Sequence, residues 1–321
     1  MLKEKLKTSF LVILLLLGNV IITSKTIAME DLNDHHHVPP RNITFYVQAH
    51  QDDWQLFYGD QAWKDIIELD NNSKKNKVVF IYTTAGDNGN KDSELWQGTR
   101  LWQRREDGAL ASIHTVLPDE NINKEEIPLI RGHSITKYVI GNTESYFLRL
   151  PDGGIDGEGI LEVGKSLKKL HEAPTDIYPV DGIGAPYKDW ADFGLTLRAI
   201  LENATPEDLE NAAGGNGDAR KWINVADFAD FNPDKPYEDH SDHHETSMAL
   251  KDFHDSTKYK FVLYKTYNNS KKTNLSEEDA NFKKEMYESY CDKAYKTGET
   301  TYWNEGWLET SGGRVYPPNP L

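Results

Sequence analysis

Apolar positions along the chain follow two alternating periods, one of strands and one of helices. Ile43 to Ala49 reads as a strand, helical spacing follows from Tyr58 to Leu69, and Lys77 to Thr84 is a β-branched run that reads as a second strand. A helix is expected over Ser93 to Thr115, carrying Trp96, Leu101, Trp102, Leu110 and Ile113. Further strands are expected at Tyr146–Leu150, Lys221–Ala226 and Tyr259–Tyr264, where the sheet should end. Helices are expected at Ile160–His171, at Gly194–Glu202, through Met248, Leu250 and Phe253, and over Glu277–Tyr295. Strands alternating with helices point to an α/β, Rossmann-like and mostly parallel sheet flanked by helices in three layers. Its ligands belong in the crevice outside the carboxyl ends of the strands.

The strand ends are where the chain places its chemistry. Ala49-His-Gln-Asp-Asp53 follows the first strand, Ala85-Gly-Asp-Asn-Gly89 the second, and Pro151-Asp-Gly-Gly154 the next. His240-Ser-Asp-His-His-Glu245 lies far downstream, after Lys221–Ala226. A loop from Tyr178 to Phe193 mixes Gly and Pro with aromatics, and Tyr187 and Trp190 in it suit stacking on a sugar.

Catalytic zinc sites commonly take three protein ligands from His, Asp and Glu and leave a fourth position open. His50 and Asp53 supply two from one tight loop, and His243 is the natural third. Asp52 is then placed to act as general base, and His240 to donate to a developing oxyanion or leaving amine, with Asp242 holding its other nitrogen. The plainer alternative is that Asp52-Asp53 caps a helix and that Asp242 with Glu245 forms a capping box. Two clusters with complementary ligands at strand ends favour the metal site.

Composition narrows the partners. The first 28 residues have a basic start (Lys3, Lys5, Lys7), an apolar run from Phe10 to Ile22 and a small-residue exit, which is the pattern of a cleaved secretory signal. The expected location is secreted or periplasmic, with no stable membrane insertion after cleavage. Removing that segment takes away four Lys and one Glu and moves the net charge from -16 to -19. So acidic a surface argues against nucleic acid. The single cysteine, Cys291, excludes an internal disulfide and a thiolate zinc cluster. Residues 29–42 read as an extended leader, whose His35 to His37 suit a solvated tail better than a metal site. Residues 43–270 form the expected main domain, and 271–321 a helix and aromatic tail packed on it.

Ala49-His50-Gln51-Asp52-Asp53 resembles the A-H-P-D-D motif, and His240-Ser-Asp-His243 the H-x-D-H motif, of the PIG-L/LmbE-like zinc N-deacetylases. Thr84-Ala-Gly-Asp-Asn-Gly89 is similar to that family's loop after the second strand. Arg104-x-x-Asp107 followed by Ala111 resembles its R-x-x-E-x-x-x-A helix, and Asp152-Gly-Gly154 its D-S-G-like segment. The resemblance covers residues 43 to 265 or so. It implies a Rossmann-like fold and zinc, or another divalent ion, on His50, Asp53 and His243, with Asp52 as base and His240 as acid. It also implies that Arg104, in competition with Arg105, faces a sugar together with Asp152 and Asp87. The implied reaction removes acetyl from an N-acetylglucosamine-type substrate. The alternatives are a non-catalytic carbohydrate-binding relative and a metal amidase for another amide. Two positions depart from the motif: Gln51 stands for its proline, and Trp54 for a common glutamate.

Overall fold

A computed structural model describes residues 43–69, 75–87, 98–207, 221–229, 239–267 and 275–295, with the strand pair Asn319–Pro320. The expected signal segment, the histidine tract, and Trp96, Trp303 and Trp307 lie outside these residues. Strands β1 (Ile43–Gln48), β2 (Lys77–Thr84), β5 (Thr143–Leu150), β6 (Lys221–Ala226) and β7 (Lys260–Tyr264) form a parallel core in the order β5-β2-β1-β6-β7. Two short antiparallel strands, β3 (Asn123–Glu125) and β4 (Thr136–Ile140), extend the β5 edge. On the other edge β8 (Asn319–Pro320) pairs antiparallel to β7, so the sheet does not end at Tyr264 as expected.

The central strands alternate two apolar faces. Ile43, Phe45 and Val47 of β1 join one buried cluster, and Tyr46 the other. The first cluster takes in residues of α5 (Trp190–Ala204) and α6 (Ser241–Phe253). The second takes in α1 (Asp53–Phe57), α2 (Gly59–Ile67), α3 (Leu101–Val116) and α7 (Glu277–Ala294). Three layers result, as the alternation of periods requires. No helix among the described residues is long and apolar enough to cross a membrane.

Several elements differ from the expected pattern, and α3 begins at Leu101 rather than Ser93, with Gly98 at φ +82° and Arg100 extended before it. The β4–β5 hairpin was hidden because β4 is mostly half-buried and alternates weakly; it closes through Gly141-Asn142, with Gly141 at φ +55°. The helix expected over Ile160–His171 is reduced to α4 (Leu167–Glu172), because Gly164 within that span adopts φ +85°, which a right-handed helix excludes, and Ser166 after it is extended.

Strand order reverses between β1 and β6, the neighbours of a connection that returns from β5 across the sheet. At such a switch point the loops after the two strands part and leave a crevice. The loop after β1 carries His50 to Asp53, and the connection after β6 leads into Asp239–His243. Topology alone therefore brings together two motifs some 190 residues apart, as the hydrogen bond between His50 and His243 records (separation 193).

Candidate metal centre

His50 and Asp53 flank one turn of chain between β1 and α1. The Asp53 carboxylate turns back on that loop, where Oδ2 accepts the His50 backbone N–H at 2.8 Å and Oδ1 is left to face inward. His243 lies in the first turn of α6 and reaches the same point. His50 Nδ1 and His243 Nε2 are 3.2 Å apart, His243 Nε2 and Asp53 Oδ1 3.1 Å, and His50 Nδ1 and Asp53 Oδ1 3.5 Å. All three residues are buried. A tetrahedral ion with bonds of about 2.0–2.1 Å sets its ligand atoms roughly 3.3 Å apart. The triangle of two nitrogens and one carboxylate oxygen fits such an ion.

Electrostatics agree with the geometry. Burial pulls the His50 imidazole down, but the charge of Asp53 and the carboxylates of Asp242 and Asp152 outweigh it, and its pKa stands well above that of an ordinary histidine. Burial also opposes charge on His243, yet Asp53 and Asp239 push it up to about 10. Asp53 is held well below the usual carboxylate range because His243 and His50 overcome its desolvation. The pocket stabilises positive charge, and a divalent cation would compete there with protons.

Asp52 stands at the start of α1, but its side chain makes no capping hydrogen bond. Its Oδ1 accepts from Arg105 Nη2 at 2.5 Å instead, and Arg105 Nη1 donates to the Gly86 carbonyl at 3.1 Å. Gly86 is a required glycine. Its φ is +55°, and a Cβ would lie 2.8 Å from Gln51 Oε1 and 2.9 Å from the Arg105 guanidinium carbon. The capping-box alternative fails at the second motif too. His240 is the N-cap of α6, and its Nδ1 accepts the Asp242 N–H at 3.2 Å. The Asp242 carboxylate serves elsewhere: Oδ2 accepts the Gly153 N–H at 2.9 Å and sits 3.7 Å from His50 Nε2 and 3.8 Å from His240 Nδ1.

Asp152 closes the far side. Its Oδ1 accepts the Gly154 N–H at 2.9 Å and lies 3.5 Å from His240 Nε2, while Oδ2 lies 3.9 Å from His50 Nε2. Burial would raise its pKa, but His240 and His50 hold Asp152 below the usual carboxylate range. Asp87 supports it from the exit of β2, where Oδ1 accepts the Asp152 N–H at 2.9 Å. Burial, with the nearby charge of Asp152, pushes the Asp87 carboxyl up to about 6. Asp87 and Pro151 also line a cavity of about 240 Å³ whose walls include Trp102 and Tyr178.

The structure corrects the expected arginine. Arg104 points away from the site, where Nε donates to the Ala294 carbonyl at 3.1 Å and Nη1 to the Thr99 carbonyl at 2.9 Å. Arg105 is the arginine beside Asp52, because one residue along α3 turns a side chain by about 100°. The buried acid of that helix is Glu106, whose carboxylate receives two 2.7 Å hydrogen bonds from Arg149, whereas Asp107 is exposed.

Both departures from the motif have structural roles. Gln51 is fully buried, and its Nε2 donates to the Thr84 carbonyl at 2.8 Å, tying the ligand loop to the end of β2. Trp54 is a core residue whose Nε1 donates to the Tyr82 hydroxyl at 3.1 Å. Three further residues border the centre and carry no motif of their own: Asp239, Thr266 and Tyr267. Tyr267 lays its ring against His243 with centroids 5.4 Å apart and 25° between planes, yet remains 54% exposed.

No family model matches the chain, and no curated protein matches its sequence. Among solved structures it is similar to N,N'-diacetylchitobiose deacetylase from Pyrococcus horikoshii in complex with its inhibitor MPG: 14% identity over 93% of this chain and 92% of that one, with a TM-score of 0.48. It is also similar to the deacetylase of the teicoplanin biosynthesis pathway in complex with teicoplanin, at 11% identity, 77% and 86% coverage and a TM-score of 0.43. A third is the A40926 pseudoaglycone deacetylase Dbv21, at 11% identity, 81% and 86% coverage and a TM-score of 0.41.

Proposed function

We propose that the chain is a zinc-dependent hydrolase that removes acetyl from an N-acetylated amino sugar. The observation that carries this reading is the convergence of His50 Nδ1, Asp53 Oδ1 and His243 Nε2 at 3.1–3.5 Å, with the Asp52 carboxylate beside the ligand loop. Bound there, zinc would supply Lewis acidity to the amide carbonyl and lower the pKa of water.

The chain's own groups have separate tasks. Arg105 occupies one oxygen of Asp52 and so fixes the direction of the other, which takes a proton from the attacking water. His240, 3.5 Å from Asp152, donates to the oxyanion and then to the leaving amine. Asp152, with Asp87 behind it, accepts from sugar hydroxyls at the exit of β5. The carbohydrate-binding alternative relied on Tyr187 and Trp190. Tyr187 is buried with one face stacked on His133 at 3.8 Å, so it offers no free platform, while Trp190 is half-buried with one face against His171 at 4.1 Å.

The test is chelation of the full chain, zinc add-back, and assay of acetate and free amine from N-acetylglucosamine oligosaccharides. Metal-dependent release is expected. Absence of release from every N-acetylated glycan tried, at full zinc occupancy, would reject the reading.

A further inference from the structure

Imidazole is a metal ligand only when the nitrogen facing the ion has its lone pair free, so the other nitrogen must carry the proton. In His243 the nitrogen facing the pocket is Nε2. Its Nδ1 lies 2.8 Å from Asp239 Oδ1, and a carboxylate that is ionised can only accept. Nδ1 therefore carries a proton, and Nε2 is the nitrogen left to give its lone pair to an ion. Asp239 stands just before the N-cap of α6 and four residues ahead of His243, so its carboxylate reaches forward over the first turn to that nitrogen.

Asp239 is itself fixed on both oxygens. Oδ1 also accepts the His240 backbone N–H at 2.7 Å, and Oδ2 accepts the hydroxyl of Thr266, a buried residue just beyond β7. The imidazole plane is held independently. Tyr267 lies against one side of it, and Phe57 meets it edge-on at 5.7 Å and 76°. Packing sets the ring's position, and what remains for Asp239 to set is the tautomer.

We infer that Asp239 is the positioning residue of this metal centre: it commits His243 Nε2 to the ion, and Thr266 commits Asp239. The inference rests on the metal reading above and adds two residues that the sequence motifs do not contain. Carboxylates placed behind a ligating histidine govern affinity rather than occupancy of the site, and their loss costs about 10 to 100-fold in binding.

The experiment measures zinc affinity by competition with a chromogenic chelator, and the visible spectrum of the cobalt-substituted protein, on the full chain and on Asp239→Asn, Asp239→Ala and Thr266→Val. Asp239→Asn keeps the shape and an acceptor but removes the charge, and is expected to weaken zinc by about 10 to 100-fold and to shift the cobalt bands. Thr266→Val is expected to weaken zinc less, by a few-fold, and decides the matter if the Asp239 variants fail to fold. A merely structural role would leave the cobalt bands in place. Zinc binding within about twofold of wild type in the folded variants, with unmoved cobalt bands, overturns the inference while the metal reading stands. A wild-type chain that binds no zinc overturns both.

Discussion

The crevice between β1 and β6 and the stretch that follows β5 both border the candidate centre, but they are held by different means. In the crevice each ligand sits on a strand exit or in the first turn of a helix, and short local hydrogen bonds aim it: Asp53 to the His50 N–H, Asp239 to His243. Residues 151–189 contain one short helix, α4, and are held by backbone turns, such as Gly159 N–H to the Gly153 carbonyl, together with side chains reaching across. Arg149, at φ +61°, binds Glu106 through two 2.7 Å contacts and Asp181 at 2.7 Å, and the Gly153 N–H donates to Asp242. The difference teaches that the candidate ligands stand on regular backbone at strand and helix ends, while the neighbouring wall depends on ion pairs between distant residues.

The sharpest way to break the comparison is to remove a ligand. Asp53→Ala is expected to lose zinc and turnover together, by more than the roughly 10 to 100-fold of an outer-shell change. Metal analysis of the purified variant checks it, and full zinc occupancy would remove Asp53 from the ligand set. Asp52→Asn comes next: kcat is expected to fall by about 10² to 10⁴-fold with zinc content unchanged. A variant that loses zinc instead would make Asp52 a ligand rather than a base.

The opposite behaviour is expected of the β5 wall. Arg149→Ala leaves the buried Glu106 and the half-buried Asp181 without their shared cation and should cost about 3–5 kcal/mol in urea unfolding. Zinc content at neutral pH should be retained, because none of the three ligands touches Arg149. Loss of zinc in the folded variant would mean that wall and crevice form one unit after all.

The same division explains what could be read from the residues alone. Strand positions and the two His/Asp clusters were legible because alternation and residue type are local properties, and the rule for strand ends then placed them together. Arg105 was not separable from Arg104, since choosing between neighbours needs the helix phase to within one residue. Asp239 was hidden for another reason: it stands outside the H-x-D-H motif, and an aspartate before a helix has no signature beyond its acidity. Glu106 and Arg149 are partners across two elements, a pairing that periodicity cannot show. Gly164, which delays the start of α4, was visible, but its effect on a helix expected over Ile160–His171 shows only in its positive φ.

Asp87 offers the smallest and most discriminating change, because it joins the two regions from the end of β2. Its carboxyl is raised to about 6 by burial and by the charge of Asp152, so folding favours its protonated form. The stabilising contribution is therefore present below about pH 4, the ordinary carboxylate range, and is lost as pH rises through about 6. Asn keeps an acceptor for the Asp152 N–H and has no proton to lose. Asp87→Asn should accordingly match wild type at low pH and exceed it above pH 7, by up to about 3 kcal/mol if the whole shift is realised. Urea unfolding at pH 4.5 and pH 8 measures the difference. An increment that does not grow with pH would mean that Asp87 is charged in the fold without penalty. A bound cation or an ordered water at its Oδ2 would then be needed to explain why that buried oxygen has no hydrogen-bond partner among the described residues.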